Sequence, residues 1–264
     1  MCELVSAAPR HAVEAVIGAL SVDPSRPRLT AFDPDGNRTE LSGTALLNWA
    51  SKVAGLLVDE LGGEHGDVVV VRSPVGWQTA GILIGAWWAG STVTSEDSAD
   101  ALAAFVADGG DALADEVFVV SGHPLGAPSR QVKPHQRDYT GAVLGQADRF
   151  GSRNSVSPEV LAVSGPPAVT VSEFDRQIRV GSALSAADRV VTGGGWDLPH
   201  QVVEQLLAPL AAGASVIVCA DWADAGLFGG DATGPTMSEA QLHRLDSEGA
   251  THLLASDGNV RPLG

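Results

Sequence analysis

Short apolar runs alternate along the chain with segments whose apolar residues recur every three or four positions. Apolar runs bounded by turn residues predict strands, and the three-four spacing predicts amphipathic helices. The predicted strands cover residues 29–32, 38–41, 68–71, 91–94, 117–120, 160–163, 168–171, 188–192, 215–219 and 251–255. The predicted helices cover residues 42–62, 74–89, 99–107, 172–184, 199–213 and 239–249. This alternation indicates an α/β fold made of two βα-layered halves with mostly parallel sheets.

The same pattern divides the chain into four stretches. Residues 1–45 contain an N-terminal helix and a hairpin, which we expect to pack with the second half. Residues 46–121 form the first α/β half. Residues 122–158 are rich in Pro, Gly, Ser, Arg and Asp, which predicts an irregular connection. Residues 159–264 form the second α/β half, in which Ser172 is expected to cap the helix that follows it.

Charge narrows the choice of partners. The chain has 264 residues, with 32 acidic and 16 basic side chains and a net charge of −16. Nucleic acids and anionic membrane surfaces are therefore not expected as partners, because both are bound through basic patches. The only lysines are Lys52, expected on a solvated helix face, and Lys133. Cys2 and Cys219 make no disulfide framework, and the sequence lacks a bilayer-length apolar run and a signal-peptide pattern. These features predict a cytoplasmic protein.

A glycine-rich turn followed by a Trp-Asp pair marks the first candidate site. Residues 193–195 are three glycines between a strand and a helix, so they either admit a ligand to the helix N-terminus or form a tight turn. Trp196, Asp197 and His200 follow at the start of that helix. From the residues alone, Asp197 is expected to cap the helix that Pro199 opens.

Ser164 and Gly165 mark a second candidate site, either a short nucleotide loop or an ordinary turn between strands. Metal ligation is not expected, because His123 and His135 have no cysteine or carboxylate partner at a metal-binding spacing. The sequence also contains no nucleophile elbow, and we predict no catalytic residue.

The order of these motifs resembles the N-terminal domain of the adenylate-forming enzymes, a superfamily of acyl-CoA synthetases, adenylation domains and luciferases. The motifs that carry the resemblance are Gly66-Asp67 before an apolar strand, an apolar helix ending in Ala89-Gly90, Asp188-Arg189-Val190, Trp196-Asp197 and Gly249-Ala250-Thr251. The resemblance implies the fold of that domain. It also implies a small acyl- or amino-acid-like ligand near Asp197. By the same resemblance, Asp197 would hold a cation or the amine of that ligand, with Trp196 as a wall and His200 nearby.

The chain departs from the superfamily at the loop that holds the ATP phosphates. The superfamily has a Ser/Thr/Gly-rich loop ending in Pro-Lys-Gly, whereas this chain has residues 164–167, Ser-Gly-Pro-Pro, with no lysine and two prolines that lack a backbone N–H. The sequence also ends before the superfamily's C-terminal domain and its catalytic lysine, as in truncated actinobacterial members. Adenylation depends on cations and oriented donors, and losing one donor costs about 3–4 kcal/mol. Several such losses would abolish it.

We therefore expect a non-catalytic relative of an acyl-adenylating domain, which binds a small ligand or acts as a scaffold for a protein partner. ATP, AMP and CoA are disfavoured as ligands, and no cofactor is predicted. Two alternatives stay open. The protein would be an enzyme that activates a carboxylate with ATP only when a second chain completes it, or a structural module that forms a homo-oligomer through an exposed sheet edge.

Overall fold

Strands and helices alternate as the sequence predicts, and they build two sheets. The computed structural model describes residues 10–151, 154–225, 237–255 and 259–263. The strands are β1 Pro27–Phe32, β2 Arg38–Ser42, β3 Val68–Arg72, β4 Thr92–Thr94, β5 Ala101–Ala107, β6 Glu116–Val120, β7 Gln136–Asp138, β8 Leu161–Val163, β9 Val169–Thr170, β10 Arg189–Thr192, β11 Ser215–Cys219, β12 His252–Leu254 and β13 Val260–Pro262. The predicted α/β class with two mostly parallel sheets is confirmed.

The helices pack between and around these sheets. They are α1 Glu14–Ser21, α2 Gly43–Gly55, α3 Trp77–Ala89, α4 Tyr139–Leu144, α5 Val171–Val180, α6 His200–Val202, α7 Ala208–Ala211 and α8 Glu239–Ser247. Two π-helical turns, Leu56–Glu60 and Val203–Leu207, extend α2 and join α6 to α7, and a 3-10 helix covers Ala220–Ala225. Among the described residues no helix is both apolar enough and long enough to cross a bilayer.

The first sheet joins the N-terminal hairpin to the last strands of the chain. Its six strands run in the order β13-β12-β10-β11-β1-β2. Leu29 of β1 lies opposite Val216 of the parallel strand β11 and opposite Leu41 of the antiparallel strand β2. Every residue of β11 is buried, which includes the thiol-bearing Cys219. Cys2 lies outside the described residues.

The second sheet has seven strands in the order β7-β6-β5-β3-β4-β8-β9. All neighbouring pairs are parallel except β8 and β9. Strand β8 joins this sheet through the pairing of Val163 with Val93 of β4. Strands β8 and β9 thus share a sheet with β3 to β6, although the sequence division places residues 159–264 in the other half.

Helix α3 is the central element of the core, as its apolar sequence predicts. Twelve of its thirteen residues are buried, and it contacts β1 of one sheet and β3 and β4 of the other. Trp87 is fully buried; its Nε1 donates to the carbonyl oxygen of Ala162 at 2.8 Å. The helix ends at Gly90, whose φ of +89° permits the left-handed turn. One continuous hydrophobic core therefore spans both sheets.

The helix predicted for residues 99–107 is wrong, because this segment forms strand β5. Alanine favours helices, and residues 99–107 contain five alanines, which explains the error. Strand β5 is buried on both faces, and Phe105 is fully buried. A strand in the middle of a parallel sheet needs small or apolar residues on both faces, so tertiary packing overrides helix propensity here.

Three local predictions also change. The connection 122–158 is not wholly irregular, because it contains β7 and the helix α4, whose N-cap Asp138 accepts from the Gly141 backbone N–H at 2.6 Å. Thr170, rather than Ser172, caps α5 by accepting from the Glu173 backbone N–H. Helix α5 ends at Val180, before the predicted end at residue 184.

Candidate ligand cleft

The candidate site lies where three strands end at their carboxyl edges. Strands β3 and β4 are parallel neighbours, and the loop after β10 of the other sheet meets them. Ligands of α/β proteins bind at the carboxyl ends of parallel strands, because the loops there leave a crevice. A cavity of about 280 Å³ opens at this place. Its lining residues are Val71, Arg72, Ser73, Val75, Thr79, Leu83, Ser95, Gly194, Gly195, Trp196, Asp197 and Leu198.

A smaller cavity adjoins the first one. It has a volume of 140 Å³ and is lined by Thr94, Ser95, Glu96, Val163, Ser164, Gly165, Pro166, Pro167 and Leu198. Ser95 and Leu198 line both cavities, and we call the two together the cleft. The structure thus brings Ser164 and Gly165 to one end of the cleft and Trp196 and Asp197 to the other. The two candidate sites that the sequence marks separately are neighbours in space.

The buried side-chain amide of Gln205 holds the glycine-rich loop in place through Thr192. The Thr192 hydroxyl donates to Gln205 Oε1 at 2.5 Å and accepts from the Gly194 backbone N–H at 3.3 Å. Gly194 has a φ of +77°, and a Cβ there would lie 2.7 Å from Val75 Cγ1. Only glycine fits both the conformation and the space at this position. The loop is therefore a rigid wall of the cleft.

Trp196 and Asp197 both line the cavity but differ in exposure. The Trp196 side chain is buried, with 9% of its surface exposed, and no described residue accepts a hydrogen bond from its Nε1, which is itself shielded from solvent. Asp197 is exposed. The prediction that its carboxylate caps the next helix is wrong: α6 has Pro199 as its N-cap without a side-chain hydrogen bond. The Asp197 backbone oxygen accepts instead from the backbone N–H of Gln201.

The loop at Ser164 offers few backbone donors. The Ser164 N–H is already used, because it donates to the Val93 carbonyl oxygen at 3.1 Å. Pro166 and Pro167 have no N–H, and the peptide bond between them is cis, as is the bond that precedes Pro199. Gly165 therefore supplies the one uncommitted backbone donor of residues 164–167. This loop therefore offers too few hydrogen-bond donors for a phosphate group, which needs several.

His200 lies away from the other candidates. It is exposed and lines a separate cavity of 310 Å³, together with Arg176, Gln177, Val180, Gly181, Val203, Glu204 and Asn259. The first turn of α6 directs it toward α5 rather than toward the cleft. The structure therefore does not bring His200 together with Asp197, although the two are three positions apart in the sequence.

Polar residues at the ends of β3 and β4 belong to the cleft and are missed by the sequence reasoning. They are Arg72 at the end of β3 and Ser73 after it, and Thr94 at the end of β4 with Ser95 and Glu96 after it. The Arg72 guanidinium donates to both carboxylate oxygens of Asp97, at 2.8 and 3.1 Å. This pairing lowers the pKa of Asp97 below its ordinary value. A polar residue directly after a predicted buried strand is the sequence signal that would have identified these polar residues of the cleft.

Neither lysine lies in the cleft. Lys52 is only 14% exposed, so its predicted place on a solvated face is wrong; its Nζ contacts Asp148 Oδ1 at 2.8 Å and the Gln146 carbonyl oxygen at 2.6 Å. Lys133 pairs with Asp111 at 2.9 Å, beyond the end of β5. Arg72 is thus the only basic residue that lines the cleft in the described part of the chain, and Asp97 neutralises it.

Among the described residues, there is no group of three or more His, Cys, Asp or Glu side chains that could hold a metal ion. The cleft instead combines an apolar wall with the exposed Asp197. An exposed carboxylate beside apolar side chains favours the binding of a cation or an amine.

The fold is that of the N-terminal domain of adenylate-forming enzymes. An acyl-CoA synthetase from Brucella canis superposes with a TM-score of 0.68 at 17% identity, over 95% of this chain and 48% of that chain. The anthranilate CoA ligase AuaEII, solved in complex with anthranoyl-AMP, superposes with a TM-score of 0.60 at 15% identity, over 83% of this chain and 46% of that chain. The chain thus spans about half the length of these solved structures.

The sequence relationship is more specific. No family model matches the chain. A TIGR03089 family protein from Mycobacterium tuberculosis (strain H37Rv) is 35% identical over 215 aligned positions, and the match covers 76% of this chain and 86% of that protein. The chain belongs to this family and has the fold of the N-terminal domain of the adenylate-forming enzymes.

Proposed function

We propose that this protein binds a small amino-acid-like or acyl molecule in the cleft and does not adenylate it. The observation that carries the proposal is the exposed Asp197, which lines one cavity together with apolar side chains. The Asp197 carboxylate suits a ligand amine. An aliphatic amino acid supplies an amine beside an apolar body.

The size of the cavity supports a ligand of this class. Its volume of 280 Å³ corresponds to about nine units of the volume of a water molecule, each about 30 Å³. Leucine has nine non-hydrogen atoms. The apolar side chains of Val71, Val75 and Leu83 line the same cavity and suit an aliphatic body.

The absence of adenylation is proposed from the residues at the other end of the cleft. Residues 164–167 provide one uncommitted backbone donor and no cation, and Glu96 adds negative charge to the same cavity. A nucleoside triphosphate carries several negative charges, so this cavity repels it. Loss of one donor in such a transition state costs about 3–4 kcal/mol, and this loop has lost more than one.

Calorimetric titration and thermal unfolding with matched ligands test the proposal. Leucine should raise the unfolding temperature, and at 100 times its Kd it should add about 2.7 kcal/mol of stability. The acid 4-methylpentanoate, which is leucine without the amine, should bind about tenfold more weakly, because it lacks the charge-assisted contact with Asp197. ATP, AMP and CoA should produce no shift, and ATP–pyrophosphate exchange should be absent.

Variants locate the effect in the cleft. Asp197→Asn should remove the preference for leucine over the deaminated acid, whereas Asp115→Asn, at another exposed aspartate, should leave the preference intact. A screen of the common amino acids and short carboxylic acids without a shift would refute ligand binding here. Detectable ATP–pyrophosphate exchange would refute the non-catalytic part of the proposal.

A further inference from the structure

A second cavity lies directly beside the larger cavity of the cleft. Its volume is 270 Å³, close to the 280 Å³ of its neighbour. It opens between the turn of the β1–β2 hairpin, the start of α3 and the loop after β6, and we call it the hairpin cavity. Among the described residues, Val75 is the one that lines both cavities. The two spaces are therefore separated by a thin partition.

The partition is the connection from β3 to α3. Ser73 lines the cleft, whereas Pro74 and Gly76 line the hairpin cavity. Val75 stands between them and lines both. A Cβ on Gly194 of the glycine-rich loop would lie 2.7 Å from Val75 Cγ1. The isopropyl group of Val75 thus packs against the glycine-rich loop, on the wall of the cleft.

Hydrogen bonds fix the backbone on both sides of Val75. On one side, the Thr79 hydroxyl donates to the Pro74 carbonyl oxygen at 2.5 Å. On the other side, Trp77 Nε1 donates to the Pro124 carbonyl oxygen at 3.0 Å. The connection is therefore held in place, and the side chain at position 75 decides how the two cavities are separated.

The polar and apolar parts of the larger cavity come from different elements. Asp197 belongs to the loop after β10. The apolar side chains of Val71, Val75 and Leu83 belong to β3, the connection and α3. An amine bound by Asp197 would therefore leave the aliphatic body of the ligand against the wall that Val75 borders.

We propose that Val75 determines the specificity of the cleft by limiting the length of the aliphatic chain that it accepts. This inference rests on the function proposed above. The cavity holds about nine water volumes, and leucine and norleucine have nine non-hydrogen atoms. A longer straight chain has to pass Val75 and enter the hairpin cavity, where Pro34 and Pro74 supply apolar surface.

A series of straight-chain α-amino acids measures this limit. Norvaline, norleucine and 2-aminooctanoate differ only in methylene groups, so calorimetric titration compares chain length at constant charge. Each methylene removed from water tightens binding about fourfold, so norleucine should bind more tightly than norvaline. 2-Aminooctanoate should bind about tenfold more weakly than norleucine, because its two additional methylenes meet Val75.

Two substitutions at position 75 should move the limit in opposite directions. Val75→Ala removes two carbon atoms from the partition, and 2-aminooctanoate should then bind about tenfold more tightly than norleucine. Val75→Ile adds one carbon atom and should make norvaline the tightest ligand of the series. Val22→Ala, at a valine that is 68% exposed and lines neither cavity, should leave the order of the three ligands unchanged.

The outcomes separate this inference from the proposed function. If the wild type binds norleucine and 2-aminooctanoate equally well, or if Val75→Ala keeps the wild-type order, the length limit at Val75 is refuted while the cleft remains a ligand site. If Leu198→Ala rather than Val75→Ala admits 2-aminooctanoate, the chain extends into the smaller cavity of the cleft and the inference is wrong. If the wild type binds no amino acid, the proposed function fails, and this inference fails with it.

Discussion

Lowering the pH from 7 to 5 should destabilise the protein by about 2 kcal/mol through one imidazole, that of His11. The His11 side chain is 4% exposed and lies 6.2 Å from the Trp88 ring, between ring centroids. Burial lowers its pKa from 6.5 to about 4, because the charged imidazolium loses its hydration. Its Nδ1 has no hydrogen-bond partner among the described residues, so little compensates for that loss.

The sign and size of the effect follow from proton linkage. The unfolded chain binds the proton near pH 6.5, and the folded protein does so only near pH 4. Acidification therefore favours the unfolded state between these values. The difference of 2.5 units between 6.5 and 4 corresponds to about 3.4 kcal/mol once both states are protonated. Some 2 kcal/mol of it should be lost by pH 5, roughly a thirtyfold change in the folding equilibrium.

Urea unfolding of the wild type and of His11→Leu at pH 7, 6 and 5 measures this contribution. The variant has a similar side-chain volume and no titrating group, so its stability should fall by about 2 kcal/mol less than that of the wild type over this range. His243→Gln, at an exposed histidine, should follow the wild type. If wild type and His11→Leu lose the same stability, the reasoning from burial is refuted.

Two further substitutions test the packing of α3. Gly85→Ala should lower the free energy of unfolding by about 1–3 kcal/mol, because the new Cβ would lie 2.6 Å from Val53 Cβ. The control Gly18→Ala, at an exposed helical glycine with nothing within 4 Å, should instead raise it by about 0.5–1 kcal/mol. Urea midpoints of the two variants that move in the same direction would contradict this contrast. Trp87→Phe should cost about 1–3 kcal/mol, because it removes the buried hydrogen bond to the Ala162 carbonyl oxygen. Unchanged guanidinium unfolding of that variant would argue against the bond.

The elements that the sequence predicts best are those whose burial follows one simple period. Strand β3 is a run of valines, and α3 is apolar on every face, so both are apparent without a structure. Strand β5 is not, because its alanines are compatible with a helix, and only the neighbouring strands β3 and β6 determine its conformation. Pairings such as that of β4 with β8, about 70 residues later, leave no local signal.

The sequence likewise predicts only the part of the candidate site that leaves a local signal. Trp196 and Asp197 stand out locally, because they follow a glycine-rich turn. Ser95 does not, since its place beside Leu198 depends on two loops about 100 residues apart in the sequence. His200 is the opposite case. It is close to Asp197 in the sequence, but the start of α6 places it at a different cavity.

The pairing of β1 with β11 has a consequence for synthesis on the ribosome. Residues 29–32 find their parallel partners only at residues 216–219. At about 5–20 residues per second, translation takes roughly 10–40 seconds to supply β11 after β1 has been made. During that time the edge of β1 that β11 will cover is open to other extended chains. We therefore expect the nascent hairpin to need protection by chaperones until β11 inserts between β1 and β10.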